Sequence, residues 1–206
     1  MSNGIMIVKR DGGKEHINID KIHKVVMHAC DGLAGVSASQ IEMNANLQFY
    51  DGMSTGEIQE VLVRSANDLI SLDAPNYQYA AARLLSYGTN KQVFGEYNAI
   101  TLQQNIDCNI DRGVYDKEIL EKYTADEITT LDSYIRHKRD ENFTYAGLRQ
   151  VVDKYLCQDR STGEIFETPQ FMYMMIAATL FAGYPKETRM HYVRRYYDAT
   201  SLFRIN

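Results

Sequence analysis

Only the first 19 residues of this 206-residue chain carry the two-residue alternation of a β-strand; from Asp20 onward the apolar residues recur three and four apart. That break in period predicts a mainly α fold with one small β element at its start. Ile5-Met6-Ile7-Val8 is an apolar, largely β-branched run, Asp11-Gly12-Gly13 has turn chemistry, and His16-Ile17-Asn18-Ile19 alternates polar and apolar. Together they read as a hairpin. Ile22, Val25, Val26, Ala29, Cys30 and Leu33 then share one helical face, with Asp20 as the expected N-cap and Gly32 near the end.

A second helix is expected from Ser37 towards Phe49, before a turn at Asp51-Gly52. Ser54-Thr55-Gly56-Glu57 has the form of a capping box, in which hydroxyl and carboxylate satisfy orphan backbone donors reciprocally. The helix it opens presents Ile58, Val61, Leu62, Ala66, Leu69 and Ile70. A fourth helix begins near Asp73-Ala74-Pro75, turns Tyr77, Ala80, Ala81, Leu84 and Leu85 inward, and ends at Gly95. Residues 1–95 therefore form one expected domain, a hairpin capped by four helices.

Residues 96–206 form a second, helical one. Helices are expected near 101–111, 116–122, 125–135 (opened by a capping box at Thr124 and Glu127), 145–156, 169–182 and 186–202. Asp159 to Phe166 reads as a small hairpin, and Thr168-Pro169 as a cap followed by an N1 proline. The last helix carries Val193, Tyr196, Tyr197 and Leu202, with Tyr196 and Tyr197 read as packing, one buried and one half-exposed. Leu202 to Asn206 is an apolar, strand-like exit without a partner, which suggests a piece of a longer or split polypeptide.

The net charge of −5 argues against a broad nucleic-acid-binding face. Met1-Ser2-Asn3-Gly4 lacks the basic and apolar regions of a signal peptide. Phe171 to Ala182, the most apolar stretch, is too short to span a bilayer. Cys30, Cys108 and Cys157 are odd in number and far apart, with no zinc spacing. A reduced cytoplasmic setting, no membrane and no metal held by side chains are the expectations. Cys30 reads as a small core residue, and no cysteine has a histidine beside it to activate the thiol.

The residues with binding chemistry are cationic. Lys9 and Arg10 end the first strand, Lys21 opens the first helix, and Lys91 lies late in the fourth. A triphosphate suits such charges near a helix N-terminus. The alternative is that Lys9 and Arg10 blunt a sheet edge and Lys91 is solvated. Neither a P-loop nor a GxGxxG fingerprint is present.

Val8-Lys9-Arg10-Asp11-Gly12, Glu15 to Ile22, Phe49 to Thr55 and Asp73 to Leu84 resemble the ATP cone that opens the class I ribonucleotide reductase large subunit. Lys154-Tyr155-Leu156, Thr162 to Phe171 and Arg195-Tyr196-Tyr197-Asp198 resemble the helical region that follows it, so the likeness covers essentially the whole chain. It implies that these helices lead into a ten-stranded α/β barrel that these residues do not reach. It also implies a cone that binds ATP as activator or dATP as inhibitor, with Mg2+ carried by the nucleotide. Lys9, Arg10 and Lys91 would meet the phosphates, and Glu15, His16, Ile17, Asn18, Ile19, Asp20 and Lys21 would surround base and sugar. Ile22, Thr55, Ile58 and Gln59 would complete the site. Two positions depart from strongly dATP-inhibited members, which carry histidine where this chain has Gln59 and Gly88; weak dATP inhibition is the expectation.

The family reduces ribonucleoside diphosphates to deoxyribonucleotides for DNA synthesis, with a thiyl radical supplied through a small subunit. Cys30, Cys108 and Cys157 match none of its catalytic cysteines, so this segment alone is expected to be inactive. Its expected partners are the remainder of the large subunit, in the same or a separate chain, and the radical-generating small subunit. The rivals are a stand-alone ATP-cone sensing module, which should bring a zinc ribbon or DNA-binding element, and a ligand-free helical scaffold.

Overall fold

The computed structural model describes residues 4–95 and 98–205. Met1, Ser2 and Asn3, on which the leader reading rests, and Asn206, the last residue of the expected exit, lie outside them. The chain forms two compact units, 1–88 with 141–150, and 89–140 with 151–206. Sequence patterning put the division at 95; the compact units divide within a helix, and 141–150 belongs with the first.

In the first unit the expected hairpin forms from β1 (Met6–Val8) and β2 (Lys14–His16). It is part of a three-stranded mixed sheet. β3 (Met53–Ser54) pairs parallel with β1, giving the order β2-β1-β3. Asp51 Oδ1 accepts from the Met6 amide at 2.8 Å and ties the incoming chain to the same edge. A two-residue strand has no periodicity to read, so only the fold reveals it.

α1 (Ile19–Cys30) starts two residues earlier than a cap at Asp20 would allow. Asn18 is the N-cap, and its side chain accepts from the Lys21 amide at 2.9 Å, which corrects the expected assignment. Asp20 lies instead in the first turn, where a carboxylate favours the helix dipole. α2 (Ala38–Asn46) is capped by Ser37, and α3 (Thr55–Asn67) by the predicted reciprocal box of Ser54 and Glu57. α3 stops at Asn67, so Leu69 and Ile70 fall beyond its apolar face. α4 (Tyr77–Phe94) begins after Pro75, which sits in the preceding turn, and ends at Gly95, whose φ of +72° is open to glycine without strain.

Val26, Ala29, Ile41, Ala45, Val61, Leu62, Ala66, Ala80, Ala81 and Leu84 are buried in this unit, joined by Leu148. The Arg83 guanidinium donates to the Ala29 and Asp31 carbonyls at 3.3 and 2.7 Å, satisfying acceptors that the end of α1 leaves open.

The second unit contains α5 (Leu102–Asp111), α6 (Glu118–Lys122), α7 (Ala125–Tyr134), α9 (Pro169–Phe181) and α10 (Lys186–Ser201). α8 (Tyr145–Lys154) crosses the boundary between the units. Thr101 and Gln104 make a capping box that the sequence reading overlooked, and Thr124 and Glu127 make the predicted one. The small hairpin after α8 survives as a single bridge between Gln158 and Ile165. A short 3-10 helix at His137–Asn142 was not expected. The exit is not strand-like: Leu202 and Phe203 form a turn, with Phe203 at φ 55°.

Leu102, Ile106, Ile128, Leu131, Phe171, Met174, Ala177, Val193 and Tyr197 make the core of this unit. Tyr197 is fully buried and Tyr196 half-buried, as expected. The Tyr197 hydroxyl donates to Gln170 Oε1 at 2.5 Å and accepts from the Arg136 amide at 2.8 Å. Among the described residues no helix is long and apolar enough to cross a membrane.

Candidate functional site

The sheet gathers several of the singled-out residues at one end, where β1 and β3 finish. Val8 on β1 is opposite Lys14 on β2 and Ser54 on β3. The next residues, Lys9 and Thr55, therefore leave adjacent parallel strands side by side, and Thr55 begins α3. Lys9 is held in a tight turn, its amide bonded to the Gly13 carbonyl at 2.8 Å and its carbonyl accepting from Gly12 at 3.0 Å. Its ammonium meets Glu15 Oε2 at 2.8 Å. The hydrogen bond and charge of Glu15 raise the Lys9 pKa, and Lys9 lowers that of Glu15. Both groups face solvent, where such a pair adds little stability and exchanges partners readily.

Arg10, His16, Ile19, Asp20 and Lys21 are exposed, and Ile17 and Ile22 are half-buried. Asn18 is committed to capping α1 and Ile58 to the core. Lys91 lies in the last turn of α4, exposed to solvent.

Gln59, on α3, is engaged with α4. Its amide donates to the Leu84 carbonyl of α4 at 2.6 Å. A Cβ built on Gly88 would lie 2.9 Å from Gln59 Cγ. The two positions singled out separately in the sequence are one contact between α3 and α4. Sequence reasoning also missed Tyr50, whose hydroxyl donates to Glu57 Oε1 at 2.8 Å and braces the box that starts α3. An aromatic seven residues from a carboxylate carries no local signal for that bond.

Residues 5–91 match the family described as the ATP cone domain, and residues 141–206 match ribonucleotide reductase, all-alpha domain. Over its whole length the chain is 47% identical to ribonucleoside-diphosphate reductase 1 subunit alpha of Salmonella typhimurium and 46% identical to that of Escherichia coli. It spans 27% of each of these relatives. The subunit alpha of Enterobacteria phage T4 is 39% identical over 98% of the chain, which covers 26% of that protein. The chain belongs to the class I ribonucleotide reductase large-subunit family, as its N-terminal region.

A cone recurs in several proteins, so the all-alpha match and the end-to-end identity carry the reductase assignment. The cone implies allosteric nucleotide binding in this reductase segment. Two of its cysteines have other surroundings than a reactive thiol needs. Burial, with Glu42 nearby, pushes the Cys30 thiol up to about 11, and burial beside Glu167 pushes Cys157 up to about 12. Neither is a thiolate at neutral pH. Cys108 is exposed on α5.

Proposed function

We propose that this segment is the effector-sensing part of an enzyme that reduces ribonucleoside diphosphates, and that it binds ATP or dATP at the end of the sheet where β1 and β3 finish. The observation that carries this is the strand register, which delivers a lysine from β1 and the start of α3 to one place. Lys9 supplies a point charge for phosphate, and the exchangeable Glu15 pair keeps it charged and extended until phosphate takes over. Arg10, Lys21 and Lys91 add positive charge. His16, Ile17, Ile19, Asp20 and Ile22 surround base and ribose, Thr55 contributes its hydroxyl and amide, and Mg2+ arrives with the triphosphate. Asn18, Ile58 and Gln59 act through the scaffold.

Titration calorimetry of the 206-residue chain tests the site. Lys9→Ala and Lys91→Ala are each expected to weaken ATP binding at least tenfold, a loss of about 1.4 kcal/mol. Unchanged affinity in both variants would place nucleotide binding away from these lysines, and no ATP binding by the unaltered chain would leave a helical scaffold with no effector. ATP and dATP are expected to bind with similar strength, because the Gln59 amide is already engaged by the Leu84 carbonyl.

The partners proposed are the remainder of the large subunit and a radical-generating small subunit, in the cytoplasm. The remainder would pack against α9, which is apolar on all sides although Ile176 and Leu180 stand exposed. Such a helix is suited to burial on every face, and the relatives continue for nearly three times the length of this chain. These two residues wall a cavity of about 510 Å³ together with Ile119, Tyr155, Met172 and Met175. Ile176→Asp and Leu180→Asp should weaken association with the separately produced remainder at least tenfold without shifting the chain's own urea midpoint. Equal association of these variants would place the contact elsewhere.

A further inference from the structure

Gly88 lies in the interior of the 18-residue helix α4, where helix propensity alone favours alanine. Its use there has a local cause. Gln59 Cγ stands 2.9 Å from where a Cβ on residue 88 would be, closer than real side chains approach. The atom in the way is in the middle of the side chain, and its far end is tethered by the 2.6 Å bond from Nε2 to the Leu84 carbonyl. Leu84 is one turn before Gly88, and a carbonyl can accept a second bond beside its helical one. The missing Cβ leaves that side of α4 open for Gln59 to enter. Gln59 is thus wedged into α4 and tied to its backbone, and it cannot move aside without losing the bond.

This contact lies at a functional level of the fold. Gln59 is one turn after Thr55 on α3, and Gly88 is one turn before Lys91 on α4. We propose that Gln59 and Gly88 are an interlocked positioning pair, which fixes how closely α3 approaches α4 and so holds Thr55 in place for the nucleotide. Neither residue touches the effector. The inference rests on the effector reading above and adds to it the device that sets the geometry of the site.

The test is a double-mutant cycle on the 206-residue chain, with Mg-ATP titrated calorimetrically and folding followed by circular dichroism. Gly88→Ala is expected to weaken ATP binding about tenfold, although alanine is the better helix former. Gln59→Ala should weaken it about threefold by removing the wedge. The double variant Gln59→Ala/Gly88→Ala, in which the new methyl occupies the vacated space, should bind within about threefold of the unaltered chain. That rescue is the signature of a pair, since two independent losses would multiply. Gln59→Met, which keeps the volume and removes the donor, should weaken binding and serves as the second variant if Gly88→Ala fails to fold. If the unaltered chain binds ATP and Gly88→Ala binds it equally, or the double variant is worse than either single one, the pairing is overturned while the effector site stands. Should the unaltered chain bind no ATP, the effector reading falls and the pairing falls with it.

Discussion

Arg189→Ala is expected to destabilise the second unit by about 3 kcal/mol, the lower end of what removing one partner from a buried ion pair costs. Arg189 is only 3% exposed on α10, and its guanidinium grips Glu127 on α7 with bonds of 2.6, 2.6 and 3.1 Å. The same guanidinium lies 4.3 Å from the centre of the Tyr123 ring. Burial alone would raise the Glu127 pKa, but the Arg189 bonds and the Thr124 amide more than offset it and hold the carboxylate below its usual range. Glu127 also closes the capping box at Thr124, accepting from its amide at 2.9 Å. Truncating Arg189 leaves that carboxylate without its cation and opens a gap over Tyr123. Urea unfolding followed by tyrosine fluorescence measures the loss. The double variant Arg189→Met/Glu127→Gln removes both charges and should recover more than half of it. A loss below about 0.5 kcal/mol in the single variant, typical of exposed sites, would show that the pair is not buried in solution.

The second large effect is a pH dependence centred on Asp140. This residue is 2% exposed on the 3-10 helix; its Oδ1 accepts from Gln170 Nε2 at 2.7 Å, and its Oδ2 is buried with no partner. Burial raises its pKa from 3.8 to about 7, against a smaller opposing contribution from the Gln170 bond. Around it, Tyr173 and Tyr197 are neutral phenols whose own pKa values burial raises. The His137 imidazole is kept below its usual pKa by burial, and Arg139 is engaged with Asp198 and Ser201. The folded state therefore prefers the protonated acid. Its contribution to stability is complete below about pH 4 and is lost as pH rises towards 7, about 4 kcal/mol for the full shift. Asp140→Asn keeps the bond from Gln170 and removes the titration, at a pH-independent cost of about 1–3 kcal/mol for an amide donor that lacks an acceptor. The expected result is a profile that falls between pH 4.5 and 7 in the unaltered protein and is flatter in the variant. Parallel profiles would sink the idea. Glu127, with its lowered pKa, works in the opposite direction and loses its contribution in acid, so the difference between the two profiles is the quantity to read.

Much of the architecture was legible because it is encoded locally. The helices at Ser54 and Thr124 begin where their caps predict, α9 begins at Pro169 as predicted although the Thr168 side chain makes no cap bond, and the apolar stripes of α1, α3 and α4 face inward at the spacing the sequence shows. The errors at Asp20 and at Leu69-Ile70 are errors of one turn or less, where several residues compete for the same helix end. The cations of the proposed site were legible as a set, and the resemblance to the reductase cone selected the same residues. What could not be read was which of their neighbours are tied to the frame, as Asn18 is to the start of α1 and Gln59 to the Leu84 carbonyl.

By itself the sequence determined most of the helix starts, the change of period near Asp20, the family and the charges available for phosphate. All of these depend on residues within a few positions of one another or on matched motifs. Only the tertiary structure decided that β3 pairs with β1, that Gln59 enters the space left by Gly88, that Arg189 is buried on Glu127 and that Asp140 is cut off from water. Each joins residues 25 to 62 apart in sequence or depends on burial, and no local periodicity records the partner of a long-range contact or the solvent a side chain has lost.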